Sequence, residues 1–166
     1  MLTFAEGNIF LTECKTILHP VNAEGTMMSS LSREFYQYFP EMHQHYQNLC
    51  KEPLVHKTIL GKVIYHKLKP IEKREFTESI ISYVFRKKWD GKIPEYYLGM
   101  GLGNLVECII NNDIKSIAIP AFGCGKPGGC AWGVMKNLMQ DWHRLYKDIL
   151  KDVYIYSYAP LQIKES

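Results

Sequence analysis

Two loops carry the residues that can do chemistry. The first follows the run at residues 16–21 and reads Asn22-Ala23-Glu24-Gly25-Thr26-Met27-Met28-Ser29-Ser30, and the second contains an unusual number of glycines. After an apolar run at residues 116–122, the chain reads Gly123-Cys124-Gly125-Lys126-Pro127-Gly128-Gly129 ahead of a helical pattern. Glycines let backbone N–H groups approach an anion closely, at the positive end of the following helix. This loop favours a phosphate-bearing ligand, although a Gly-rich turn can also be a simple tight connection. It lacks the residue order of a Walker loop.

The histidines and cysteines do not indicate a metal site. His43 and His45 are two residues apart, so on a helix they point to different faces. The five cysteines are an odd number and none has C-x-x-C spacing, which argues against zinc and against a disulfide framework. Cys124 has no histidine partner nearby in the sequence. We therefore expect no metal and no cofactor.

Short β-branched and aromatic runs alternate with helical patterns along the chain. Strands are predicted near residues 3–4 and at 16–21, 62–68, 79–85, 116–122 and 153–158, and helices at 31–50 with a break at Pro40, at 94–111 and at 132–150. The run SIAIPAF is apolar throughout, as expected of a strand covered on both faces. The pattern predicts an α/β class with helices flanking a mostly parallel or mixed sheet. In such sheets, ligands bind beyond the carboxyl ends of the strands.

The length of 166 residues suits one domain over residues 1–166. No apolar stretch is long enough to span a membrane and no export signal is evident, so a soluble, cytoplasmic protein is expected. The net charge of +3 is uneven: residues 51–92 hold eleven Lys and Arg against five Asp and Glu. A solvated surface explains this excess, or it steers an anionic ligand or a nucleic acid.

Four motifs in order resemble the macrodomain family of ADP-ribose-binding α/β/α modules. They are GNIF from Gly7, ILHPVNAEGTM from Ile17, FPEMHQHYQNLC from Phe39 and IPAFGCGKPGG ahead of Trp132. The resemblance covers residues 2–158. It is nearest to the branch of terminal ADP-ribose glycohydrolase and of antitoxins against DNA ADP-ribosylation, and small phage-encoded macrodomains are also similar. The implied fold is a three-layer α/β/α macrodomain with a central mixed, mostly parallel sheet.

The resemblance also implies where ADP-ribose binds. The family places the adenine beside Asn8 and Ile9, the distal ribose beside Asn22, and the diphosphate beneath the two loops. Asn22 can instead be an ordinary turn residue that bonds its own backbone. The family has glycines where this chain has Met28 and Ser30, so Ser29 and Ser30 are expected to donate hydroxyls or to cap the next helix. The implied ligand-binding residues are Asn8, Ile9, Asn22, Thr26, Met27, Ser29, Ser30, Phe122, Gly123, Cys124, Gly125, Lys126 and Tyr158.

A catalytic lysine is implied at the end of the fourth strand-like run. The position falls on Arg86 without a gap and on Lys87 with a one-residue shift, and arginine stays protonated. Lys87 is therefore the candidate nucleophile, as a buried amine attacking the anomeric carbon of the distal ribose, with a solvated charge as the alternative. The acid that some members carry in the second loop is missing. Glu24 is the nearest substitute as a general acid or base, and Asn22 positions the ribose.

The resemblance implies that a monomer binds ADP-ribose or a derivative and hydrolyses an ADP-ribosyl bond on protein or nucleic acid. The nucleic acid would be engaged through an ADP-ribosylated base. Two alternatives stay open: a non-catalytic reader or sponge of ADP-ribose or a nucleotide signal, and an ADP-ribose 1″-phosphate phosphatase.

Overall fold

Six strands form one sheet in the computed structural model, which describes residues 1–26, 29–56, 58–88, 95–122 and 131–156. The strands are β1 (Leu2–Ala5), β2 (Thr16–Asn22), β3 (Val63–Lys67), β4 (Ser79–Arg86), β5 (Ser116–Pro120) and β6 (Asp152–Tyr156). Their order in the sheet is β1-β6-β5-β2-β4-β3. All neighbours pair in parallel except β3, which runs antiparallel to β4 at one edge. The mixed, mostly parallel sheet is confirmed.

The central strands are buried on both faces. Every residue of β2 is buried, and in β4 only Arg86 is partly exposed. Val, Ile, Leu and aromatic side chains fill such strands because both faces lie under helices. Successive residues of a strand therefore pack on opposite faces of the sheet. Ile80 and Ile81, for example, belong to separate hydrophobic clusters.

Helices cover both faces of the sheet and complete the three layers. They are a 3-10 helix (Ile9–Leu11), α1 (Ser30–Tyr38), α2 (Pro40–Lys51), α3 (Pro53–His56), α4 (Glu95–Asn111) and α5 (Trp132–Leu145). The clusters of buried side chains place α4 and α5 on one face, and α1, α2 and the 3-10 helix on the other. None of the described helices is both long and apolar enough to span a membrane.

The proline break predicted between α1 and α2 is confirmed. Phe39 separates the two helices with φ −136°, and Pro40 is the first residue of α2. The ring of a proline disfavours helical backbone in the residue before it, and its own missing N–H costs nothing at the first helical position.

The last described helix is shorter than its pattern indicates. The spacing predicts a helix over 132–150, but α5 ends at Leu145 and Tyr146 leaves helical geometry with φ −114° and ψ 23°. The N–H groups of Ile149 and Leu150 both donate to the Tyr146 carbonyl oxygen, so the chain turns there. Leu150 is buried, so the pattern of buried apolar side chains continues beyond the end of the helix. β5 also ends earlier than predicted, at Pro120.

Candidate functional site

The parallel strands end together at one edge of the sheet, which we call the carboxyl edge. The strand ends found there are Ala5, Asn22, Arg86, Pro120 and Tyr156. The loops that follow these residues therefore share one region of the surface. In open α/β sheets this is where ligands bind.

Asn22 ends β2 and its side chain builds the turn that follows. Its Oδ1 accepts hydrogen bonds from the backbone N–H of Glu24 at 3.0 Å and of Thr26 at 3.3 Å. Its Nδ2 donates to the Thr26 Oγ1 at 2.7 Å. The residue is 7% exposed. Asn22 therefore has the geometry of a turn residue that bonds its own backbone, which is one of the two interpretations of the sequence. The same hydrogen bonds fix the orientation of its side-chain amide.

Helix α2 supports this turn from below. The Tyr46 hydroxyl donates to the Asn22 carbonyl oxygen and also lies 3.3 Å from Asn22 Oδ1, while Gln47 Nε2 donates to the Gly25 carbonyl oxygen at 3.0 Å. Gly25 has φ +77°, and a side chain there would press on Cys50. Burial raises the pKa of the Tyr46 hydroxyl and raises that of the Cys50 thiol to about 11. Both groups therefore stay protonated at neutral pH.

The pairing of β2 with β4 brings the catalytic candidates together. The Cα of Asn22 is paired with that of Arg86 after a register shift at Val21. The backbone N–H of Ala23 donates to the carbonyl oxygens of Arg86 at 2.9 Å and Lys87 at 3.2 Å. The backbone of Lys87 thus lies directly beside the start of the Asn22 turn. The Arg86 guanidinium carbon lies 4.7 Å from the centre of the Phe85 ring.

The side chains of Lys87 and Glu24 are both exposed, and they form no ion pair with each other. The burial expected for a nucleophilic amine is therefore not seen at Lys87. An exposed ammonium is stabilised by water, so any activation of Lys87 has to come from a ligand that covers it.

At the other end of the candidate site, Gly7 turns the chain with φ +110°. Asn8 Oδ1 then accepts from the Phe10 N–H at 3.0 Å and caps the 3-10 helix. The Asn8 side chain is exposed, and a carbonyl oxygen has a second lone pair for another donor. Ile9 is 6% exposed and packs in the cluster shared with Phe10.

The expected helix cap after the first loop is present. Ser29 precedes α1 with extended backbone, and its Oγ accepts from the Ser32 N–H at 3.1 Å. Ser30 is the first residue of α1 and is exposed. A hydroxyl that accepts through its oxygen keeps its hydrogen for donation, so Ser29 can cap the helix and bind an anion at once.

No protein-family model matches the chain. A DNA ADP-ribosyl glycohydrolase from Thermus aquaticus is 26% identical over 162 residues, which are 98% of this chain and 42% of that protein. The chain thus spans less than half the length of this curated relative.

Solved structures settle the fold. The macrodomain of Mycobacterium tuberculosis DarG matches with a TM-score of 0.82 at 24% identity, over 94% of this chain and 97% of that one. The chain has a macrodomain fold. A structure of Thermosipho africanus DarTG in complex with ADP-ribose also matches this chain, with a TM-score of 0.79 at 24% identity, over 95% of this chain and 42% of the other.

Phe122 lies in the hydrophobic core, at the end of the described segment that precedes the second loop in sequence. It is 3% exposed, and its ring packs edge-on against those of Tyr83 and Phe85, with centres 5.5 Å away in each case. The remaining expected ligand residues lie outside the described residues; they are Met27, Gly123, Cys124, Gly125, Lys126 and Tyr158. In the described part of the macrodomain, no three His, Cys, Asp or Glu side chains form a group that could hold a metal ion.

Sequence reasoning gave no role to Tyr46 or Gln47, although α2 holds the Asn22 turn through them. The sequence did contain a signal for this supporting role. Tyr46 and Cys50 are four residues apart, so they share one face of a helix, and both belong to the motif that begins at Phe39.

Proposed function

We propose that this macrodomain binds ADP-ribose at the carboxyl edge and hydrolyses the bond between ADP-ribose and a DNA base. The observation that carries the proposal is the backbone pairing that puts Lys87 beside the Asn22 turn. The name of the Thermus aquaticus relative and the ADP-ribose bound to Thermosipho africanus DarTG support it.

The Asn22 amide binds the distal ribose in this proposal. Its nitrogen carries two hydrogens: Thr26 Oγ1 accepts one, and the other has no acceptor among the described residues. A ribose hydroxyl would accept that second hydrogen. Because the turn and Tyr46 already hold the amide, little entropy is lost when the ligand binds.

The diphosphate would lie between the second loop and the start of α1. The first backbone N–H groups of a helix attract anions, and the Ser29 hydroxyl keeps a hydrogen to donate there. Ser29 and Ser30 therefore replace part of the backbone contact that glycines make in other macrodomains. The second loop, with glycines at 123, 125, 128 and 129, has a sequence suited to close backbone approach to phosphate.

Lys87 is the proposed nucleophile. A bound ligand covers its side chain, which disfavours the ammonium form, and the neutral amine attacks the anomeric carbon of the distal ribose. The bond from that carbon to the base breaks, the electron pair leaves with the base, and a proton from Glu24 or water neutralises it. Water then displaces the amine from the same carbon, and the proton that this water releases restores Glu24 or returns to the solvent. The products are free ADP-ribose, unmodified base and the unchanged lysine.

The second candidate function is a module that binds ADP-ribose without hydrolysing any bond, and two observations favour it. Lys87 is exposed, and the Asn22 side chain is engaged by its own turn, which also suits a site that only holds ADP-ribose.

One panel of substrates distinguishes the candidates. The macrodomain is incubated with ADP-ribosylated DNA, ADP-ribosylated protein and ADP-ribose 1″-phosphate, and released ADP-ribose and phosphate are measured. We expect release of ADP-ribose from the DNA. Tight binding of ADP-ribose without release from any substrate establishes the binding module instead. Absence of ADP-ribose binding at millimolar ligand overturns both.

A further inference from the structure

Lys51, Lys62 and Lys88 lie along the carboxyl edge beside β3 and β4, and we call them the lysine rim. Lys88 follows the end of β4 by two residues, and Lys62 directly precedes β3, which runs antiparallel to β4. The Val84 N–H donates to the Lys62 carbonyl oxygen at 3.0 Å. Lys51 is the last residue of α2, the helix that holds the loop after β2. All three residues therefore lie at the end of the sheet where β4 leads into Lys87.

The lysine rim carries charge that the described part of the protein does not neutralise. Its three side chains are exposed, and none forms an ion pair with a described residue. Lys62 borders a groove between β3 and α4 that Glu107 also lines, yet the two do not pair. Some cations elsewhere lie within 4 Å of carboxylates, as at Lys15, Lys69, Lys115 and Arg144, whereas Lys147 and Lys151 at the opposite edge also form no ion pair with a described residue. The position of the lysine rim beside Lys87, and not its lack of ion pairs alone, therefore distinguishes it.

We propose that the lysine rim binds the phosphate backbone of a DNA strand whose modified base is held at the ADP-ribose site. This inference rests on the proposed function. Glu24 and Glu52 are exposed carboxylates at the same edge, but the cationic side chains there, with Arg86 and Lys87, outnumber them. The rim thus provides a positive border on the side of β3 and β4.

We take the partner to be a single strand, because a single strand presents an unstacked base without the free-energy cost of unpairing a duplex. A base that bears ADP-ribose must leave the base stack to bring its glycosidic bond to Lys87. The phosphates on either side of that base then pass over the rim of the site. Lysine ammonium groups bind phosphates through their charge and do not distinguish one base from another. The contact therefore positions the strand whichever base carries the modification.

The test uses unmodified single-stranded DNA, which has no ADP-ribosyl bond to cleave, together with free ADP-ribose. A triple variant, Lys51→Gln, Lys62→Gln and Lys88→Gln, is compared with the wild type. DNA binding is followed by fluorescence anisotropy at several salt concentrations, and ADP-ribose binding by calorimetry. A control triple variant, Lys115→Gln, Lys147→Gln and Lys151→Gln, removes the same charge from the exposed opposite edge of the sheet.

We expect the rim variant to bind DNA at least about tenfold more weakly at low salt. The slope of log affinity against log salt should become shallower by about 2, since each phosphate contact of a single strand contributes about 0.7. ADP-ribose affinity and DNA binding by the control variant should stay within about twofold of wild type, the scatter expected for surface changes.

Three results would contradict the inference: unchanged DNA affinity and slope in the rim variant, no DNA binding by the wild type, or a matching loss of ADP-ribose affinity. The last result assigns the lysines to the ligand diphosphate. None of these removes the proposed function, which is tested separately by ADP-ribose binding to the wild type and by release of ADP-ribose from modified DNA.

Discussion

The hydroxyl of Tyr46 donates a hydrogen bond to the backbone carbonyl oxygen of Asn22, and this bond ties α2 to the end of β2. Tyr46 is 1% exposed, so the bond is shielded from water. The same hydroxyl lies 3.3 Å from Asn22 Oδ1, the atom that closes the turn to Glu24 and Thr26. A buried tyrosine with no place in the expected ligand contacts thus sets the position of the amide proposed to bind ribose.

Tyr46→Phe should destabilise the fold by about 1–2 kcal/mol, because it removes the buried hydroxyl that donates to the Asn22 carbonyl oxygen. ADP-ribose binding should weaken as well, since the amide loses a support. Urea unfolding and calorimetry measure the two effects. Tyr36→Phe is the matched control: Tyr36 is 43% exposed, so losing its hydroxyl should cost less than about 0.5 kcal/mol. Equal stability of the two variants would show that the Tyr46 bond contributes nothing.

Lys87→Ala should lower kcat on ADP-ribosylated DNA by at least about 100-fold while ADP-ribose affinity stays within about twofold. Lys87→Arg should be equally inactive, because a guanidinium keeps its proton and cannot attack carbon. Single-turnover release of ADP-ribose measures the rate. Lys88→Ala is the control, and we expect it to keep kcat while raising KM for DNA. Full activity of Lys87→Ala would remove this residue from the reaction.

Two glycines of α4 should respond in opposite directions to alanine. A Cβ at Gly101 would overlap the ring of Tyr83 on β4, whereas a Cβ at Gly103 meets nothing within 4 Å. Gly101→Ala should therefore destabilise the protein by about 1–3 kcal/mol through overpacking. Gly103→Ala should stabilise it by about 0.5–1 kcal/mol through helix propensity. Thermal unfolding of both variants tests this, and a shift in the same direction would contradict the close packing of α4 on Tyr83.

The stability of the fold should fall as the pH drops below about 6.5 because of two buried histidines. His19 on β2 and His43 on α2 are fully buried, with ring centres 5.9 Å apart. Burial lowers the pKa of both, and the charge that His43 can carry lowers the pKa of His19 further. As the pH falls, the two histidines take up protons in the unfolded chain before they do so in the folded protein. The free energy of unfolding is therefore at its full value above the histidine pKa of the unfolded chain, and it declines below that pKa.

This loss is measured by urea unfolding at a series of pH values. It should reach up to about 1.4 kcal/mol per pH unit for each histidine. His43→Leu should make the dependence less steep, because one of the two groups is removed. A wild type equally stable from about pH 8 to pH 5.5 would contradict the prediction, as would an unchanged slope in His43→Leu.

The sequence by itself determined the longer elements of this protein, since their existence and type follow from local spacing. Apolar runs covered on both faces marked β2, β4 and β5, and Pro40 marked the boundary of α1 and α2. The 3-10 helix at Ile9–Leu11 was not predicted, because three residues carry no readable period. Of the three alternate glycines in α4, only Gly101 lies against another element, and local pattern cannot tell which one does.

The tertiary structure decided what these elements bring together. The sheet order and the register of β2 against β4 join residues more than sixty positions apart, so Asn22 and Lys87 become neighbours through backbone pairing. The hydrogen bond from Tyr46 to Asn22 likewise depends on how α2 packs under the loop. Composition could show an excess of positive charge in the middle of the chain. Only the antiparallel return of β3 places Lys62 beside the end of β4, because pairing between strands is a long-range interaction that local residue types do not encode.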